Sequence, residues 1–87
     1  MSQRRLYVGI AGRLRPGDIL PAGAALRYDP AAALAAAWRD AEQQRGRPHV
    51  YRISSWGGTA VIQDAILIDA ALAIRALRLQ ASHHRPR

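Results

Sequence analysis

The chain has no cysteine, no lysine and no phenylalanine. Without cysteine there is no disulfide framework, no thiol nucleophile and no Cys-based zinc site. A chain free of disulfides suits a reducing compartment, so a cytoplasmic location is expected. No apolar run approaches the roughly 18 residues of a membrane span, and no membrane partner is expected. MSQRR leads straight into an extended segment, so no signal peptide is expected. The three histidines are His49, His83 and His84. Two of them are adjacent in the chain, not one helical turn apart, and no metal site is expected. There is no G-x-S-x-G, no P-loop and no dinucleotide fingerprint. Gly9 and Gly12 make only G-x-x-G.

What is present is arginine and alanine. All 13 basic residues are arginine, against 6 acidic ones, for a net charge of +7 over 87 residues. GC-rich coding favours that usage. The same excess is also an electrostatic footprint for nucleic acid or another polyanion. The arginines are scattered through the chain and form no long block.

The length allows one domain, expected over 1–81, with a basic tail over 82–87. Leu6–Ile10 reads as a strand, rich in apolar and aromatic residues. Arg15-Pro16-Gly17-Asp18 is a turn: Pro16 fixes φ and Gly17 accepts φ > 0. Pro21 keeps Ile19-Leu20 from being a central strand. Gly23–Tyr28 is expected as a second short strand. Asp29 is an N-cap type and Pro30 suits the first helical position, ahead of the helix formers Ala31–Gln44. Leu34, Trp38 and Ala41 share one face of that helix, and Arg39, Asp40, Glu42 and Gln43 are expected outward. Gly46 and Pro48 stop it.

His49–Ser54 follows as a strand with Tyr51 and Ile53 inward, and Ser54–Gly58 as a loop. The segment from Thr59 to Gln80 admits two readings. One is a Val- and Ile-rich strand, TAVIQDAILID, running into a helix with Leu72, Ala76 and Leu79 in one stripe. The other is a single alanine-rich helix. The class expected is α+β.

Few side chains form a chemical constellation. Asp64 and Asp69 are five apart and face apart on either a strand or a helix, so they make no acid–base pair. They are expected as capping or solvent-facing carboxylates. Trp56-Gly57-Gly58 offers a ring for stacking and a backbone that a ligand can approach, or a β-turn with its Trp sealing the core edge.

The order of these pieces resembles the rifampin ADP-ribosyltransferase-like proteins of the ADP-ribosyltransferase-like superfamily. The matching segments are Tyr7-Val8-Gly9, Leu14 to Ile19, Pro21-Ala22-Gly23, the helix Pro30 to Gln44, Arg45-Gly46-Arg47 and Val50-Tyr51-Arg52-Ile53. Ala60 to Leu79 resembles a last core strand running into a helix. The resemblance implies a small split β-sheet with one central alanine-rich helix and a C-terminal strand–helix. It also implies transfer of ADP-ribose from NAD, used as substrate, to an acceptor the sequence does not name. An oxocarbenium-like ribose needs electrostatic stabilisation more than a strong nucleophile.

The chain departs from that family at Val8, which stands at the position of a ribose-holding histidine. A second register resembles the arginine-type transferases, with Arg5 on the first strand, Ser54-Ser55 as the serine motif and Gln63-Asp64 as the acidic motif. Asp64 is there one methylene shorter than the family's glutamate. The resemblance thus implies catalytic roles for Arg5, Ser54 and Asp64, and NAD contacts for Tyr7, Gly9, Tyr28 and Trp56. Two other readings stand beside it. One is an inactive basic module for nucleic acid or a protein partner. The other is an oligomeric, phage-type structural subunit, since small cores often need a second copy.

Overall fold

The computed structural model describes residues 5–83. Its elements run β1 (Leu6–Ala11), α1 (Pro30–Gln44), β2 (Pro48–Trp56), β3 (Thr59–Ala65) and α2 (Ala70–His83). The three strands form one antiparallel sheet in the order β1-β2-β3. The class is α+β, with an alanine-rich helix and a C-terminal strand–helix, and the sheet is continuous. The strand-then-helix reading of 59–80 holds. α2 takes in the first two residues assigned to the tail, and 84–87 lie outside the described residues.

Local chemistry sets the helix starts. The Asp29 carboxylate accepts from the Ala31 N–H at 3.0 Å, and Pro30 begins α1. Asp69 does the same for α2, accepting from the Leu72 N–H at 2.8 Å, so it is a cap. Arg75 of α2 reaches Asp29 at 2.9 Å and ties the second helix to the start of the first. The stop of α1 departs from expectation. The left-handed residue is Arg45, φ 54°, one position before Gly46. Gly46 serves a different need, since a Cβ there would sit 3.1 Å from the Ala11 Cβ.

The sheet is covered on both sides by different means. Along β1 and β2, Tyr7 and Val50 face the helices, while Val8, Ile10, Tyr51 and Ile53 face the other way. α1 lies against β1 and β2 with Ala31, Ala33, Leu34, Ala35 and Ala37 buried, and α2 packs on α1. The buried surface of α1 is therefore wider than the Leu34–Trp38–Ala41 face, because the helix sits between the sheet and α2. Val50 is as buried as Tyr51, so β2 is covered on both faces.

The opposite side is closed by the connection 12–29, in place of a second strand at Gly23–Tyr28. Gly23–Tyr28 makes only a single bridge, Arg27 to Tyr7, because Pro21 and the turn at Gly23 keep it off the sheet. Leu14, Leu20 and Ala24 of this strap pack on Val8, Tyr51 and Ile62. The buried Tyr51 hydroxyl anchors its start, accepting from the Leu14 N–H at 2.8 Å and donating to the Gly12 carbonyl at 2.9 Å. Its Pro-Gly-Asp turn, with Gly17 at φ 92°, docks on the outer edge of β3. There the Gly17 N–H donates to the Ile62 carbonyl at 2.7 Å, and the Ile62 N–H donates to the Asp18 carbonyl at 2.8 Å. The strap then returns to the outer edge of β1 through the Arg27–Tyr7 pair, at 2.7 and 2.8 Å.

The expected loop Ser54–Gly58 is mostly strand. β2 continues to Trp56, and Gly57-Gly58 is a two-residue hairpin turn with φ of 54° and 83°. Two consecutive positive φ angles are the demand of a type I′ turn, which explains the paired glycines without a ligand.

Candidate functional site

A cleft of about 710 Å³ opens at the end of the sheet where β1 begins and β2 ends. Arg5, Leu6, Leu26, Ser54, Ser55 and Gln63 line it, so Arg5 and Ser54 come together. The Arg5 guanidinium lies 3.5 Å from the Gln63 amide oxygen, a weak contact.

Asp64 is not among the lining residues. The β2–β3 register slips between Arg52 and Ile53: Ile53 faces Ile62 and Arg52 faces Asp64, which leaves Gln63 as the extra residue of a bulge. The bulge puts Gln63 in the cleft and sends Asp64 to Arg52. That pair is two-pronged, with Arg52 Nε donating to Asp64 Oδ1 at 2.7 Å and Nη2 donating to Oδ2. The hydrogen bonds and charge of Arg52 hold the Asp64 carboxyl below its ordinary range, and Asp64 raises Arg52. A carboxylate held this way stays ionised.

A second cleft, about 360 Å³, runs along the outer edge of β1. The hydrogen-bond accounting of that edge is informative. Tyr7 sends its N–H and C=O outward to Arg27, and the Ala11 N–H points outward to Asp40 Oδ2 at 2.7 Å. Antiparallel residues alternate between bonding to one neighbour and bonding to the other. Gly9, midway between Tyr7 and Ala11, therefore points its N–H and C=O outward as well, and no third strand lies there. Both groups face the cleft that Gly9 lines.

Gly9 is also where α1 comes closest. A Cβ on it would sit 1.6 Å from the Ala33 carbonyl oxygen. The glycine is thus required by helix packing, and its free backbone pair is a by-product of its place in the ladder. Arg27, which lines the same cleft, carries a buried Nε with no hydrogen-bond partner. Sequence reasoning missed Arg27, one arginine among thirteen with no periodic signal. Asp40, expected outward, turns in: besides the Ala11 N–H, it accepts from Gln44 at 2.9 Å.

The remaining candidates are dispersed. Tyr7 packs against the helix-side core. Tyr28 is 61 % exposed beside the N-cap of α1. Trp56 closes β2, and its side chain lies outside the described residues. Val8 is fully buried under the strap, consistent with a residue chosen for packing.

A third feature is electrostatic. Arg13, Arg45 and Arg47 are all exposed where β1 ends and the α1–β2 turn begins. The Gly12 N–H donates to the Arg47 carbonyl at 3.3 Å, which sets Arg13 and Arg47 on neighbouring backbones. Among the described residues, Arg52 and Arg75 are the arginines in ion pairs. The acidic side chains are largely spent on caps and turns, as Asp18 is on the Arg15 N–H at 2.7 Å.

Among the described residues no three His, Cys, Asp or Glu side chains group as metal ligands. Among them, too, no helix is long and apolar enough to cross a membrane. No family model, curated protein or solved structure matches the chain.

Proposed function

We propose that the chain binds an NAD-type dinucleotide in the cleft along β1, as a binding domain of the ADP-ribosyltransferase-like kind and not as a transferase. The observation that carries this reading is Gly9. Its outward N–H and C=O offer one donor beside one acceptor, the complement of a primary carboxamide such as that of nicotinamide. Arg27 lines the same cleft, its guanidinium suits a phosphate oxygen, and its buried Nε has no partner within the chain. A cleft of about 360 Å³ is at the small end for ligand sites and suits the nicotinamide half.

The commitments of the carboxylates favour binding over transfer. Asp40 serves Ala11 and Gln44, and Asp64 serves Arg52. Both carboxylates are anchored in contacts of the fold, and Val8 offers no hydrogen bond to a ribose. NAD titration followed by amide and guanidinium NMR is expected to shift Gly9 and the Arg27 Nε–H, with no nicotinamide released. Arg27→Gln is expected to weaken binding about tenfold, the worth of one charge-assisted bond. Absence of shifts at millimolar NAD ends this reading. Nicotinamide release restores the transferase.

The corner of Arg13, Arg45 and Arg47 favours a second reading, a polyanion-binding module. Its signature is affinity for single-stranded DNA that falls with salt. Changing all three to Gln is expected to lower the log–log slope by about 2 to 3. An unchanged slope removes the corner from that role.

A further inference from the structure

The larger cleft, about 710 Å³ at the end of the sheet where β1 begins, takes no part in the dinucleotide reading. It shares no lining residue with the cleft along β1. Its floor is apolar. Leu6 and Ile53 are paired across β1 and β2 on the strap side of the sheet. They lie beyond Val8, Tyr51 and Ile62, the row that the strap covers. Both are half-buried, as is Ala60 beside them on β3. Leu26, 40 % exposed, adds a wall from the end of the strap.

The rim is polar and carries one cation. Arg5 is exposed there, with the Gln63 amide and Ser54 and Ser55. None of the described residues lining the cleft is acidic. Asp64 is the nearby carboxylate that feels the charge of Arg5. Arg52 already holds it in a two-pronged pair. Arg5 and Arg52 against Asp64 leave a positive excess at this end of the sheet. The 3.5 Å contact of Arg5 with the neutral Gln63 amide does not offset that excess.

We propose that this cleft binds a small organic carboxylate with an apolar body, the carboxylate on Arg5 and the body on Leu6, Leu26 and Ile53. A guanidinium fork matches a planar carboxylate with two parallel hydrogen bonds. Gln63 and the serines offer neutral donors beside it. The volume lies inside the range of small-molecule pockets, roughly 300–1,000 Å³. A mostly apolar lining with a few polar groups is their common make-up. A phosphate monoester fits less well. It carries more charge than Arg5 alone matches. No residue of either helix lines the cleft, so no helix N-terminus is there to share the load.

Octanoate is the probe, titrated into the full chain at neutral pH and followed by methyl and guanidinium NMR. Saturable shifts are expected at Leu6, Leu26, Ile53 and the Arg5 Nε–H. Octanamide has the same body without the charge. It is expected to bind about tenfold more weakly, the worth of one charge-assisted bond. Acetate has the head without the body and is expected not to saturate the site. Arg5→Gln alters an exposed side chain and is expected to bring octanoate down to the level of octanamide. Leu26→Ser is expected to weaken both alike. The proposal is overturned if octanoate at about 10 mM shifts nothing in the cleft. It is overturned if octanamide binds as well as octanoate, or if octanoate binding is indifferent to Arg5→Gln. Tighter binding of octyl phosphate than of octanoate also overturns it, and makes the cleft a site for phosphate esters.

Discussion

The two faces of the sheet are covered by opposite strategies. On one side an alanine-rich helix meets a glycine, and backbone approaches backbone. On the other, large side chains from all three strands, Val8, Tyr51 and Ile62, lie under an irregular strap. The difference follows from where backbone hydrogen bonds are made. A helix satisfies its own N–H and C=O groups, so its contact with the sheet can be wholly apolar and very close. A strap cannot, and must borrow partners. It borrows them from the Tyr51 hydroxyl, the outer edge of β3 and the outer edge of β1. The same borrowing covers part of two strand edges that would otherwise invite pairing with other chains.

The contrast is broken most severely at Gly9 and its neighbour Val8, adjacent residues that face opposite covers. Gly9→Ala adds one methyl on the helix side, 1.6 Å from the Ala33 carbonyl oxygen. That atom is backbone, so no side-chain rotation relieves the clash, and α1 must move. The expected loss is more than about 4 kcal/mol, most of what a domain this size has. No cooperative thermal transition should remain. Val8→Ala removes two methyls on the strap side and is expected to cost only about 1–3 kcal/mol, because a strap can settle into the space. Equal losses at the two positions would show that the strap is as rigid as the helix.

The second contrast concerns the anchor. Tyr51→Phe keeps the buried ring and leaves the Gly12 carbonyl and the Leu14 N–H without their partner. The expected loss is about 1–3 kcal/mol. It should appear in hydrogen exchange as faster opening of the strap, including the Gly17 and Ile62 amides, with little change in the core of α1. A uniform change across both covers would mean that strap and helix unfold as one unit.

The same division decides what could be read from the sequence. α1 was legible because its signals are local: Asp29, Pro30 and a run of helix formers. The Pro-Gly-Asp turn was legible for the same reason. The strap's destination was not, because docking Gly17 on Ile62 depends on a contact 45 positions away along the chain (62 − 17). The bulge at Gln63 was hidden too, since two-residue alternation assigns Ile62 and Asp64 to one side and the slip separates them. Of the candidate residues, Arg5 and Ser54 meet because both lie at the ends of paired strands. Gly9 carried a visible signal whose meaning is helix packing and an open edge together. Arg27 and the inward turn of Asp40 follow only from tertiary contacts.

The smallest expected effect lies beyond the reach of both covers. α1 rests on β1 and β2 and does not reach β3. There the Arg52–Asp64 pair spans β2 and β3, each side chain more than a third exposed. Arg52 holds the Asp64 carboxyl below its ordinary range, chiefly through the hydrogen bonds, with desolvation opposing and the charge of Arg52 adding to the lowering. A depressed carboxyl pKa adds stability above the unfolded value and loses it as pH falls through the folded value. Wild-type stability should therefore decline on acidification below about pH 4, with part of the decline owed to Asp64. Asp64→Asn should flatten that part of the acid limb and lower the melting temperature slightly at neutral pH. Water screens the pair, so the shift should be small and should shrink further in salt. An acid limb unchanged by Asp64→Asn would show that the Arg52–Asp64 pair carries no part of the acid response.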